Sequence, residues 1–336
     1  MTPTCRPTKG APVARSPRLE DVALAAGVSR QTVSNVINSP GIVREDTRER
    51  VSRAIADLGY RPHAAARSLR TRRSSTIAIH LDPYAGGISG VVLDRFVHAL
   101  TDLAGVRGMR VLLYAARDHR EEIGRLTELL DGGEADAIVI TGTFHGDPRT
   151  RWLAGRQTPF VAFGRPWGED DHHAWVDVDG AAGTRAATRW ALESAGPEVA
   201  FVGWPSGSDT GDDREAGWRS ALPTGDGLRL VSEESVSDAR AVVAQALASG
   251  TAVDALVCAS DSLAVGAHLA AVAAGRADLP IVGFDNTPAA EAIGLSSVEQ
   301  RPERVASAAL DLLLGPSESS GGASRHVLVE PQLVLR

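Results

Sequence analysis

Residues 27–38 read GVSRQTVSNVIN, and the fold of the first seventy-odd residues turns on them. Val28, Val33, Val36 and Ile37 can line one side of a short helix. Arg30, Gln31, Ser34, Asn35 and Asn38 line the other, a face rich in hydrogen-bond donors. Upstream, Val22, Ala23 and Ala26 share one face of a helix predicted over 19–26, with Glu20 and Asp21 in its first turn where negative charge suits the helix dipole. Gly27 supplies a left-handed stop, and Ser29 is a good N-cap for a helix that begins at Arg30. Downstream, a third helix is predicted over 46–58 with Val51, Ile55 and Leu58 inward, stopped by Gly59 and Pro62.

Helix, glycine turn, helix is the helix-turn-helix pattern, whose second helix enters the major groove of double-stranded DNA. On that reading Gln31 and Asn35 offer paired hydrogen bonds to adenine edges, and Arg30 reads guanine or clamps a phosphate. Thr32 and Ser34 suit phosphates or thymine methyls. The rival is an unrelated three-helix bundle with a polar surface helix. Charge favours the first reading: residues 1–75 hold 14 Lys or Arg against 6 Asp or Glu, whereas the rest of the chain holds 21 against 36. A basic module ahead of an acidic body points to a polyanion partner for the first part only.

The segments LEDVALAAGVSRQTVSNVIN (19–38) and TRERVSRAIADLGYRPHAAARSL (47–69) resemble the headpiece of the lactose-repressor (LacI/GalR) family of bacterial transcription regulators. Two departures stand out: Asn35 where many members carry Arg, and His63 where Asn is usual. The resemblance implies that 63–75, HAAARSLRTRRSS, is a hinge helix that orders only when two subunits sit on an operator. Leu69 would then wedge into the minor groove, unstacking a base step at a cost recovered by contacts on the kinked duplex. Arg67, Arg70, Arg72 and Arg73 would lie near phosphates. Read from the residues alone, the segment is a basic linker too short to be a stable helix by itself.

From Thr76 onward apolar runs (TIAIHL, RVLLYAA, AIVITG, FVAFG, WVDVD, VAFVGW, ALVCAS, IVGFD) alternate with amphipathic stretches, the mark of α/β architecture with doubly wound parallel sheets. So many strands exceed one compact sheet, so two lobes with a cleft are expected: lobe 1 about 76–190 and 300–320, lobe 2 about 191–299 and 325–336. With a disordered leader over 1–17, an all-α headpiece over 18–62 and the linker over 63–75, this completes the chain.

Ligands bind at the carboxyl ends of such strands. Asp179, Asp261 and Asp285 follow strand-like runs, and Arg214 opens the helix after the loop 205–213. Carboxylates and a guanidinium converging on a cleft suit sugar hydroxyls, which donate and accept in pairs. The body is also similar to the family's effector domain, a relative of periplasmic sugar-binding proteins, through VDVDGAAGTRAA, DDREAGWRSAL, ASDSLAVGAHLAA, VGFDNTPAAEAIG and SSVEQRPERVASAALDLLL. That resemblance implies effector contacts from Asp179, Arg214, Ser260, Asp285 and Gln300, with Ser260 replacing the more usual Asn. Asp261 either joins them or caps the next helix, and Tyr84 either stacks on a sugar or is an exposed loop residue. Trp167 and Trp204 are placed near the cleft mouth and Trp218 in a core.

No glycine-rich phosphate fingerprint is present, so no nucleotide cofactor is expected. His172 and His173 read as a solvated loop rather than a metal pair, and no G-x-S-x-G elbow suggests an enzyme. Two cysteines, Cys5 and Cys258, no secretory leader and no membrane-spanning run point to a reducing cytoplasm. The expectation is a homodimeric, sugar-responsive repressor on a palindromic operator, with no heptad tail to support a tetramer. A nucleobase corepressor, a solute-binding protein without DNA function and a sugar-processing enzyme are the rivals.

Overall fold

The computed structural model describes residues 17–60, 73–81, 90–168, 172–315 and 325–336. His63, Arg67, Leu69, Arg70, Arg72 and Tyr84 therefore lie outside the described residues, as do most of the leader and the loop 317–324. The chain divides into two units, residues 1–73 and 74–336.

The first unit holds α1 (Leu19–Ala26), α2 (Arg30–Asn38), a 3-10 turn (Pro40–Ile42) and α3 (Glu45–Leu58). Gly27 ends α1 at φ 62°, and the Ser29 hydroxyl caps α2 by accepting from Thr32 N at 3.1 Å. Val22, Val33 and Val51, one from each helix, are wholly buried at the centre of the core. Leu58, expected inward, is exposed. Gly59 turns left-handed at φ 62°, Tyr60 N bonds back to Ile55 O at 3.0 Å, and the Tyr60 ring is buried in that core. Such a left-handed helix stop folds the following residue back onto the last turn, and here the chain buries Tyr60 rather than Leu58.

The second unit contains two six-stranded sheets. Lobe 1 orders its strands β11-β5-β4-β3-β1-β2, from β1 (Thr76–His80), β2 (Arg110–Tyr114), β3 (Ala137–Thr141), β4 (Phe160–Phe163), β5 (Ala174–Val178) and β11 (His326–Val329), all parallel. Lobe 2 orders β12-β10-β9-β8-β6-β7, from β6 (Val199–Gly203), β7 (Arg229–Val231), β8 (Ala255–Cys258), β9 (Ile281–Phe284), β10 (Ser296–Glu299) and β12 (Gln332–Val334). Only β12 runs antiparallel. Between the strands run α4 (Gly90–Val106), α5 (His119–Asp131), α6 (Pro148–Gly155), α7 (Gly180–Ser194), α8 (Thr210–Ala221), α9 (Val236–Ala248), α10 (Asp261–Ala273), α11 (Pro288–Ala292) and α12 (Pro302–Leu314).

The chain passes between lobes three times, at 178–180, 299–302 and 329–332. Two expected lobe boundaries need correction. Helix α7 belongs to lobe 2, where Ala187 and Ala191 enter the core with Phe201 and Trp218. Strand β11 belongs to lobe 1, where it pairs with β5 and Val329 joins the core of Phe96 and Leu310. Each sheet gains its last strand after the chain has already visited the other, so a boundary drawn at one point in sequence misassigns the segment on either side of a crossing.

A glycine is required where α7 and α8 touch: a Cβ on Gly217 would stand 2.2 Å from Ala181 O. No helix among the described residues is long and apolar enough to cross a membrane.

Replacing the cap of α2, Ser29→Ala, is expected to lower headpiece stability by about 1 kcal/mol. Urea unfolding followed by far-UV circular dichroism on the full chain measures it, and an unchanged first transition would show that the cap is dispensable.

Candidate functional site

The polar face of α2 comes together as expected. Arg30, Gln31 and Asn38 are exposed and Thr32, Ser34 and Asn35 half-buried. Gln31 Nε2 donates to Asn35 Oδ1 at 3.0 Å, one helical turn away, and Asn38 Nδ2 donates to Ser34 O at 2.7 Å. The Gln31–Asn35 bond fixes the two amides relative to each other and does not use Gln31 Oε1, an acceptor, or Asn35 Nδ2, a donor. Arg30 pairs with Glu20 at 3.1 Å, and an ion pair this exposed is weak enough to yield to a phosphate.

In the second unit, a cleft of about 230 Å³ opens between the lobes at the carboxyl ends of their strands. Lobe 1 lines it with Thr141, Thr143, Phe163 and Trp167, and lobe 2 with Thr210, Asp213 and Arg214. Asp177, Gly180 and Gln300, at or beside two of the crossings, form its floor. Arg214 is 6% exposed. Its guanidinium lies 3.8 Å from the centre of the Phe284 ring and 5.5 Å from that of Trp204. One terminal nitrogen donates to Ala259 O at 2.5 Å and lies 3.8 Å from Asp285 Oδ1. Its Nε is buried with no acceptor among the described residues. Burial lowers the Arg214 pKa, and Asp285 opposes that shift.

Asp285 is 3% exposed and sits at φ 112°, a conformation that L-residues rarely adopt. Gln300 Nε2 donates to its Oδ1 at 2.6 Å. Burial pushes the Asp285 carboxyl up to about 7, against the pull of Arg214 and with help from Asp261 and Glu234. Asp179 caps α7, accepting from Ala182 N at 2.8 Å, and remains half-buried.

Ser260 and Asp261 sit differently from expectation. Both are fully buried, and neither they nor Asp179 and Asp285 line the cleft, whereas Arg214 and Gln300 do. Ser260, not Asp261, is the N-cap of α10, accepting from Leu263 N. Asp261 accepts from Thr287 N, Thr287 Oγ1 and Ser297 Oγ at 2.6–2.8 Å, which occupies both carboxylate oxygens. It braces the loop that carries Asp285, and burial still raises its pKa despite those bonds. Arg214 lies in the second turn of α8, which opens at Thr210. Trp218 is wholly buried as expected. His172 is exposed, but His173 is buried and stacks on Phe160 with ring centres 5.4 Å apart. No cluster suited to a metal occurs among the described residues.

Sequence reading missed the lobe-to-lobe ties. Arg165 donates to Asp177 Oδ2 at 2.6 Å and to Asp213 Oδ1 at 3.4 Å, with its guanidinium 4.6 Å from the Trp167 ring centre. His145 N donates to Asp209 Oδ2 across the cleft at 3.0 Å. Asp209 precedes α8 at φ 49° and does not cap it. Arg95 of lobe 1 donates to Glu299 of β10 at 3.0 Å. The only available sequence signal was Asp177 in WVDVD, two residues before Asp179 on the same side of the strand.

The folded form therefore holds a proton on Asp285 between about pH 4 and about pH 7 that the unfolded chain has released. That contribution to stability falls as pH rises through this window and is flat above it. Asp285→Asn keeps an acceptor for Gln300 and removes the titration. The stability of the variant relative to the parent should rise between about pH 5 and about pH 8 in denaturant unfolding; a difference constant with pH would show an ordinary carboxyl.

Residues 18–63 match the model for bacterial regulatory proteins of the lacI family, and residues 195–336 match a periplasmic binding protein-like domain. The chain is 31% identical to the HTH-type transcriptional regulator CelR of Thermobifida fusca, over 96% of this chain and 98% of that protein. A solved complex of the transcriptional regulator CelR with cellobiose is similar over 95% of this chain and 99% of that one, at 27% identity and a TM-score of 0.66. The lac repressor dimer bound to operator and the anti-inducer ONPF shares the fold over 95% of this chain and 98% of that one, with a TM-score of 0.81 at 23% identity.

Proposed function

Because this chain belongs to the lacI family of bacterial regulatory proteins and is a transcriptional regulator, we propose that it is a homodimeric repressor whose grip on a palindromic operator is governed by a sugar in the inter-lobe cleft. The observation that carries the sugar reading is the Arg214 guanidinium, buried at the cleft with an unsatisfied Nε beside Asp285 and Gln300. An unpaired buried donor is costly, and a hydroxyl oxygen at that position would relieve it. Phe163 and Trp167 offer apolar surface for a sugar ring, and the cellobiose held by the CelR complex supports the same class of ligand. Asp179 and Ser260 act more remotely in this reading, the first by setting the start of α7 and the second through its own partners. Tyr84, outside the described residues, stacks on the sugar face in this reading.

At the DNA, Gln31 and Asn35 read bases, Arg30, Thr32 and Ser34 contact phosphates or methyls, and Arg67, Leu69 and Arg72 act in the hinge. The dimer reading is supported by Leu269 and Val272, exposed one turn apart on α10. A closed cleft changes the spacing of the two hinges, so ligand and operator compete through their different affinities for two states of one body.

Footprinting on the DNA upstream of the regulator's own gene, with and without cellobiose and simpler sugars, tests the whole reading. Protection that no sugar alters would refute sugar control, and no protected site at all would refute operator binding. Gln31→Ala should weaken binding to the protected site by about 1–3 kcal/mol and relax base choice, as read by gel shift. Arg214→Ala should bind the site as the parent does yet lose the sugar response. Normal release of that variant would remove Arg214 from the pocket.

A further inference from the structure

Three residues stand at neighbouring strand ends of lobe 2: Trp204 after β6, Glu234 after β7 and Ser260 after β8. Glu234 is exposed, yet one carboxylate oxygen, Oε2, accepts from Trp204 Nε1 at 2.7 Å and from Ser260 Oγ at 2.8 Å. Two donors on one oxygen fix the carboxylate in place. The Trp204 ring that holds it also flanks the Arg214 guanidinium. Glu234 is thus close enough to act electrostatically on both Arg214 and Asp285.

The charges around the cleft are unbalanced. Arg214 feels Asp285, Asp177, Glu234 and Asp213 together. Arg165 lies between Asp177 and Asp213. Even with Asp285 holding its proton, Asp177, Asp213 and Glu234 outnumber these two guanidinium groups, and Asp179 adds a fourth carboxylate at the crossing. The donor left open among the described residues, Arg214 Nε, belongs to a guanidinium on which Asp285, Asp177, Glu234 and Asp213 all act. A sugar hydroxyl accepts from that nitrogen and donates to carboxylates at once, whereas a ligand carboxylate or phosphate only accepts.

We propose that Glu234, pinned by Trp204 and Ser260, is a specificity-determining residue that confines the cleft to uncharged polyols and rejects sugar acids and sugar phosphates. This rests on the sugar reading above and narrows it.

Calorimetric titration of the full chain with matched pairs (glucose and glucuronate, galactose and galacturonate, cellobiose and cellobionate) tests the assignment. The parent binds at least one neutral member and binds its anionic partner at least tenfold more weakly. Glu234→Gln keeps an acceptor for Trp204 and Ser260 but removes the charge, and it shifts the anion-to-neutral affinity ratio roughly tenfold towards the anion. Glu198→Gln removes the same net charge from an exposed site just before β6, at the opposite edge of the sheet, and leaves that ratio unchanged. A parent that binds an anion as well as its neutral partner overturns charge selection and leaves sugar control intact. So does a ratio unmoved in Glu234→Gln, anions still undetected included, or one moved equally by Glu198→Gln. No binding from any pair overturns the sugar reading itself, and this inference with it.

Discussion

Three passes of the backbone between two sheets constrain everything else in the body. They lie side by side: Asp179 N donates to Val329 O, and Glu299 pairs with Gln332. Two of the passes carry functional side chains: Asp179 caps the helix that begins as the chain enters lobe 2, and Gln300 leaves β10 holding Asp285. The floor of the cleft is therefore built from the crossings themselves, and any ligand that touches Gln300 touches one of them.

Above that floor the two lobes contribute unlike surfaces. Lobe 1 brings Thr143, Phe163 and Trp167, while lobe 2 brings a guanidinium surrounded by carboxylates. The polar side is made rigid from behind. Asp261 ties the loop before α11 to β10, one oxygen accepting from Thr287 and the other from Ser297, and so Asp285 can be kept at a positive φ with a proton it would otherwise lose near pH 4. Burial thus raises the pKa of Asp285, while Arg214 is kept charged by the acids gathered about it.

Much of this was legible in the chain. The helix-turn-helix could be read from Gly27, Ser29 and the valine spacing because caps and turns are local, and the strand-helix alternation gave both sheets. Pairing between distant segments was not legible. β10 escaped because Ser296 and Ser297 are buried polar residues, so it lacks an apolar run. Asp261 looked like a ligand residue because it follows a strand, and only the position of Thr287 and Ser297 shows that both of its oxygens are engaged. Arg165 and Glu234 carry no motif, and Asp213 lies in one without standing out; their meaning lies in partners between 12 and 48 residues away.

The bond from His145 N to Asp209 has a consequence for the balance between shut and spread lobes. An aspartate preceding a helix ordinarily rests in extended backbone and ties down the helix's own first amides. Asp209 does neither while it reaches across to the other lobe. Separating the lobes would restore to α8 the tie it forgoes, so part of what closure gains at this point is returned on opening. The net loss on parting the lobes at this point would therefore be smaller than one hydrogen bond.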